Sequence, residues 1–153
     1  KIRRRKVEVI VQEMKVRPKD DRIQYGIQLC RQMATTPETK PEDLDILSVL
    51  SRDPETSVRV HVMRAMGNTG KSACAELIQP ALADKHPLVR GAAVEALGKT
   101  LGKKATPHII PLLGDAELYV REEAERLLTL VTGQLLGPEP KPWKEWWDKN
   151  KTE

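Results

Sequence analysis

A spacing of 31 residues constrains this chain more than any other feature it has. The segments Asp53-Pro-Glu-Thr-Ser-Val58-Arg59, Asp84-Lys-His-Pro-Leu-Val89-Arg90 and Asp115-Ala-Glu-Leu-Tyr-Val120-Arg121 align without gaps, with Asp, Val and Arg each recurring at intervals of 31. Downstream, the apolar positions keep that register: Val62, Ala93 and Ala124, then Ala65, Ala96 and Leu127, then Met66, Leu97 and Leu128. Upstream, Leu47, Ile78 and Ile109 match, as do Pro80 and Pro111. Agreement at so many equivalent places marks one supersecondary unit copied in series, each copy completing its neighbour's core.

Each unit reads as two helices. The first is expected over Pro41–Ser51, Ser72–Ala83 and Ala105–Leu113, and the second over Thr56–Gly67, Pro87–Leu101 and Leu118–Gly133. Val58, Val62, Ala65 and Met66 fall on one face at helical spacing. Asp-x-x-x-x-Val-Arg then lies at the turn between the helices. Gly67 and Gly98 are placed to end their helices at positive φ. Pro87 suits a first turn, where its missing N–H has no partner to lose. Ile2–Met14 and Asp20–Ala34 form a more divergent pair, with Asp20 or Asp21 as a helix cap. The expected organisation is a single solenoid domain over 1–153: a divergent pair at 1–40, repeats at 41–70, 71–102 and 103–133, and a Trp-rich cap at 134–153. The fold class is all-α, a right-handed α-α superhelix of about four antiparallel helix pairs.

The pattern Asp…Val-Arg-x-x-Ala-x-x-Ala-Leu-Gly, clearest from Asp84 through Gly98, resembles HEAT repeats of the short kind common in bacterial proteins and in phycobilisome-lyase-like proteins. The resemblance covers about residues 41–133. It implies that the repeated acid and base form a ladder between neighbouring repeats, which makes Asp53, Asp84, Asp115, Arg59, Arg90 and Arg121 structural. The tail also looks like the one that follows the last repeat in many bacterial members. Its prolines break the preceding helix, and Trp143, Trp146 and Trp147 then share one helical face. With no Phe and two Tyr elsewhere, nearly all the large aromatic area sits there. It reads either as a structural cap over the open end of the last pair or as an aromatic anchor for a partner.

Chemistry is harder to find. His61, His86 and His108 are scattered, there is no His-Glu dipeptide of the kind used by helical-repeat di-iron enzymes, and Cys30 and Cys74 lack metal-ligand spacing. No catalytic residue, metal or cofactor is expected. Gly67-Asn-Thr-Gly-Lys-Ser72 falls two residues short of a phosphate-binding loop and follows no strand. Glu122, Glu123 and Glu125 read as a solvated helix face. Helical-repeat DNA glycosylases place aromatics and an acid on the concave face, and the corresponding positions here hold no aromatic.

Two binding readings remain. In the first, the concave face of the second helices binds another protein through Val60, Met63, Arg64, Gly91, Val94, Glu95 and Arg126, an apolar centre with a charged rim. In the second, nucleic acid is held by the basic end. Residues 1–20 carry eight Lys/Arg against three acids, which more than accounts for the chain's net charge of +4, and Arg3, Arg4, Arg5 and Lys6 would carry the contacts. No apolar run approaches the length of a membrane span, and two cysteines without a disulfide framework lean toward a reducing, cytoplasmic compartment.

Overall fold

The computed structural model describes residues 2–152. Among them the only regular structure is helical, as the 31-residue register requires. The elements are α1 (Ile2–Lys15), α2 (Lys19–Thr35), α3 (Pro41–Leu50), α4 (Thr56–Asn68), α5 (Ala75–Ile78), α6 (Pro87–Leu101), α7 (Thr106–Ile109), α8 (Leu118–Thr132) and α9 (Pro140–Asn150).

Local chemistry sets where these helices start, stop and break. Pro41 and Pro87 occupy the first turns of α3 and α6. Before α6, the His86 Nδ1 accepts the Leu88 N–H at 3.2 Å, which satisfies a donor the helix itself cannot. At the start of α2 the cap position is Pro18, with no side-chain cap bond. Asp20 and Asp21 instead lie in the first turn, where negative charge complements the helix dipole. Pro80 and Pro111 each lack an N–H to donate. The first helices of the last two repeats are accordingly broken. Each holds one short α turn (α5, α7) flanked by 3₁₀ segments, Ser72–Cys74 and Gln79–Ala83 in one, Gly102–Ala105 and Ile110–Gly114 in the other.

The glycine expectation fails in an informative way. Positive φ falls at Gly70, Gly102, Gly133 and Gly137, not at Gly67 or Gly98, which lie inside α4 and α6. Those two are glycine because another helix comes too close for a side chain. A Cβ on Gly67 would sit 2.8 Å from Cα of Ala96. One on Gly98 would sit 2.5 Å from Cδ1 of Leu127.

The second helices α2, α4, α6 and α8 therefore pack side by side as one tight layer, with α1, α3 and the broken first helices covering them as another. The second helices approach one another more closely than the first helices do, down to the Ala96 backbone at Gly67, and we call their layer the inner one. Between the layers the repeat register becomes a core. Val58, Val62 and Met66, then Val89, Ala93 and Leu97, then Val120, Ala124 and Leu128, all have 0% exposure. Burying each larger aliphatic among them contributes about 1.5–3 kcal/mol.

Candidate partner-binding surface

The repeated acid and base meet across successive turns. Arg59 reaches Asp84 with a two-pronged fork, Nε to Oδ2 at 2.9 Å and Nη2 to Oδ1 at 3.1 Å, while its Nη1 donates to the Asp53 carbonyl at 2.9 Å. Arg90 does the same with Asp115 at 2.8 and 2.9 Å, and with the Asp84 carbonyl. The carboxylates are also held by their own turns, since Asp84 Oδ1 accepts the His86 N–H and Asp115 Oδ1 accepts the Glu117 N–H, both at 2.9 Å. Burial alone would raise the Asp84 and Asp115 carboxyls. The arginine forks and the backbone N–H groups outweigh it, so both lie below the ordinary carboxylate value.

A further rung lies where the repeat pattern does not predict one. Arg22 of α2 makes the same fork to Asp53, at 2.9 and 3.1 Å. Its separation in sequence is 31 rather than the 25 of Arg59 and Asp84, because the longer link between α2 and α3 intervenes. Fixed-interval matching passes over it for that reason. At the other end, Arg121 donates Nη1 to the carbonyls of Asp115 and Ala116 at 2.8 and 3.1 Å. No described carboxylate meets its outer edge.

A groove of about 510 Å³ lies beside this ladder between α3 and the Gln79–Ala83 segment. Its Asp53 and Asp84 carboxylates are held by the forks of Arg22 and Arg59, and Glu76 also lines it.

The residues expected to form the protein interface divide into two groups. Val60, Met63, Gly91 and Val94 are buried, Met63 and Val94 completely. They face the next second helix, not the concave surface: a Cβ on Gly91 would meet the Tyr119 ring at 2.6 Å. Their registered partners in the last repeat show why. Val60 and Gly91 become Glu122, and Met63 and Val94 become Glu125, where no further second helix follows. An apolar position that turns polar only in the terminal copy marks a contact between repeats. Arg64 and Arg126 are exposed and Glu95 half-exposed, so these three do lie open to a partner.

The open surface of the inner layer is the neighbouring stripe. On α4 it runs Ser57, His61, Arg64 and Asn68, and in the same register Leu88, Glu95 and Lys99 on α6 and Tyr119, Glu123, Arg126 and Leu130 on α8. Lys99 Nζ reaches Asn68 Oδ1 at 2.9 Å across the helix seam, which ties the stripes into one face. Arg126 pairs with Glu123 at 2.6 Å. Tyr119 sits in the field of Glu123, Arg64, Glu95 and Arg126; burial first, then the Glu123 charge, raises its hydroxyl pKa. Sequence reasoning missed His61, Lys99 and Tyr119, although their i, i+4, i+7 spacing was available.

Other expected sites lie elsewhere. Arg4, Arg5 and Lys6 are exposed on α1, which packs on α3 in the outer layer, and Arg4 pairs with Glu8 at 3.3 Å. The Arg3 side chain lies outside the described residues. Trp143 is fully buried and donates its indole N–H to the Gly137 carbonyl at 2.8 Å. Trp147 is partly buried against the same core, while Trp146 stays half-exposed with Lys103 Nζ at 5.3 Å from its ring centroid. Helix α9 packs on α7 and the Ile110–Gly114 segment, so it covers the first helix of the last pair. The outer side of α8 keeps its polar Glu122 and Glu125. Cys30 and Cys74 are free, buried thiols, and burial chiefly pushes Cys30 up to about 12.

No curated protein matches the chain. The family model described as HEAT repeats matches residues 44–129, more than half the length, and spans the Arg59–Asp84 and Arg90–Asp115 rungs and the fully buried register just described: the chain belongs to the HEAT-repeat family.

Proposed function

We propose that this protein is a non-catalytic interaction module that presents the exposed stripe of its second helices to another protein. HEAT repeats commonly mediate protein–protein interaction, and proteins built from them are generally non-catalytic. The observation that carries the reading here is the stripe itself: a row of open charged and amphipathic side chains, interrupted on α6 by the buried Ala92, on a layer fixed by close packing at Gly67 and Gly98. A surface held rigid before binding loses little entropy on association. The contacts are Arg64, Glu95 and Arg126 with His61, Lys99 and Tyr119, while Val60, Met63, Gly91 and Val94 support them from beneath.

The test is affinity capture from the source organism's extract with the wild-type protein and with a variant carrying Glu95→Arg and Arg126→Glu. A control carries Glu76→Arg on the outer layer. Circular dichroism checks that all three keep their helices. A partner captured by wild type and control but lost with the double variant supports the stripe. Equal capture by all three excludes it.

A further inference from the structure

We propose that the groove between α2 and α4 binds an acidic, partly apolar segment of the protein partner, a proposal that rests on the interaction module above and names the chemistry of what it receives. The groove is about 310 Å³ and is lined by the C-terminal halves of the two helices. Ile27, Cys30 and Ala65 give it an apolar lining, His61, Asn68 and Thr69 a polar one, and the exposed Arg31 and Arg64 also line it.

The two arginines separate this groove from the rest of the face. Both are exposed, and neither has a hydrogen bond or ion pair to any described residue. Elsewhere on the inner layer the cations are answered: Lys99 by Glu95 at 3.3 Å and Arg126 by Glu123 at 2.6 Å. No acid lines the groove. Its one acidic hydrogen, on the Cys30 thiol, is held there by burial, which pushes that group up to about 12, so the apolar lining adds no negative charge at neutral pH. The result is a partly apolar trough with two uncompensated guanidinium groups. A carboxylate fits such a pair because the planar fork of arginine can meet both of its oxygens, as Arg59 and Arg90 already do with aspartates in this protein. The apolar lining calls for an aliphatic neighbour to that carboxylate.

Nucleic acid fits less well. It needs phosphate contacts repeated along a track, whereas the next helices on the same face present Glu95 and Glu123. Nor does any Phe, Tyr or Trp line the groove to stack a base, His61 being its one aromatic ring.

The experiment is fluorescence anisotropy with a short labelled peptide of Glu and Leu, compared with its Gln/Leu and Lys/Leu counterparts and with a labelled single-stranded DNA oligonucleotide. The proteins are wild type, Arg31→Glu with Arg64→Glu, and the outer-layer Glu76→Arg control. The Glu/Leu peptide should bind best, should weaken with added salt, and should lose about tenfold or more in affinity on the Arg31/Arg64 reversal. The outer-layer Glu76→Arg variant should bind it about as well as wild type. Glu/Leu binding no tighter than Gln/Leu overturns the proposal, as does a preference for DNA abolished by the same Arg31/Arg64 reversal. If the acidic peptide fails while captured protein is still lost with Glu95→Arg/Arg126→Glu, the groove assignment falls and the interaction module stands.

Discussion

The seam between α4 and α6 and the outer side of α8 are built from the same repeat positions, and they differ in almost every property that matters. In the seam, Met63 and Val94 are fully buried, Gly67 lies against Ala96, and Arg59 forks onto Asp84. On α8 the registered residues are Glu125, Thr129 and an Arg121 whose outer edge meets no described carboxylate. The backbone unit is the same. What changes is whether another second helix follows, and the sequence records that by exchanging apolar and glycine residues for polar ones. A repeat position thus records whether a second helix packs beside it among the described residues.

The sharpest way to break this comparison is to put the terminal chemistry into the interior. Met63→Asp removes a fully buried side chain and forces a carboxylate into the seam. Loss of packing plus desolvation should cost about 5 kcal/mol or more, enough to abolish the cooperative urea transition followed by circular dichroism. Glu125→Leu, the reverse exchange on α8, should leave the transition within about 0.5 kcal/mol of wild type. If the two variants were equally stable, Met63 could not lie in a seam.

The ladder offers the next largest effect. Asp84→Ala strands the Arg59 guanidinium, whose side chain is only 6% exposed, and should cost about 3–5 kcal/mol. Because the Asp84 and Asp115 carboxyls sit below the ordinary value when folded, the stability they contribute is fully present above the unfolded-state pKa of about 3.9. It is lost as pH falls through the lower folded values. Wild type should therefore weaken steeply in that acid range. Asp84→Asn should be less stable at pH 7 and show a shallower acid loss in the same urea titration. An acid slope unchanged by Asp84→Asn would mean that other groups control it.

A smaller effect separates two glycines that look alike in the sequence. The Cβ of Gly67→Ala would meet the Ala96 backbone at 2.8 Å, so α4 and α6 must move apart. A loss of about 1–3 kcal/mol is expected. At Gly91 the obstacle is the end of the Tyr119 ring, a half-open side chain that can swing away. Gly91→Ala should cost less than about 1 kcal/mol, offset in part by the better helix propensity of alanine. Equal melting temperatures for the two variants would show that the seam is looser than Gly67 implies.

The fold was legible because solenoid stacking converts sequence period directly into spatial equivalence: Val58, Val89 and Val120 repeat at 31 and share one core. Helix interruptions at Pro80 and Pro111 were visible as residues but not as breaks, since a proline's effect depends on which carbonyl it would oppose. Of the residues expected at the interface, Arg64 and Arg126 are exposed and Glu95 half-exposed, whereas Val60, Met63, Gly91 and Val94 are buried in the seam. Helical periodicity alone separates apolar from polar faces, and a second helix inside an array has more than one apolar side. The exchange of Met63 and Val94 for Glu125 carried the missing information. The Arg22 rung stayed hidden because its partner lies across a link of different length.

A last pair of variants tests which half of the ladder matters. Arg90 and Arg121 make the same bonds within their own turns, to the carbonyls of Asp84 and Asp115 respectively, but only Arg90 also forks onto a carboxylate in the next repeat. Arg90→Ala leaves the part-buried Asp115 carboxylate without its fork and should cost about 3 kcal/mol. Arg121→Ala frees two half-open carbonyls to bond water and should cost less than about 1 kcal/mol. The difference between the two in urea titrations isolates the contact between repeats, because the contact within the turn is common to both. If Arg121→Ala proved as damaging as Arg90→Ala, the ladder would act by fixing each turn separately. The repeats would then be held together by the seam of α4, α6 and α8 alone.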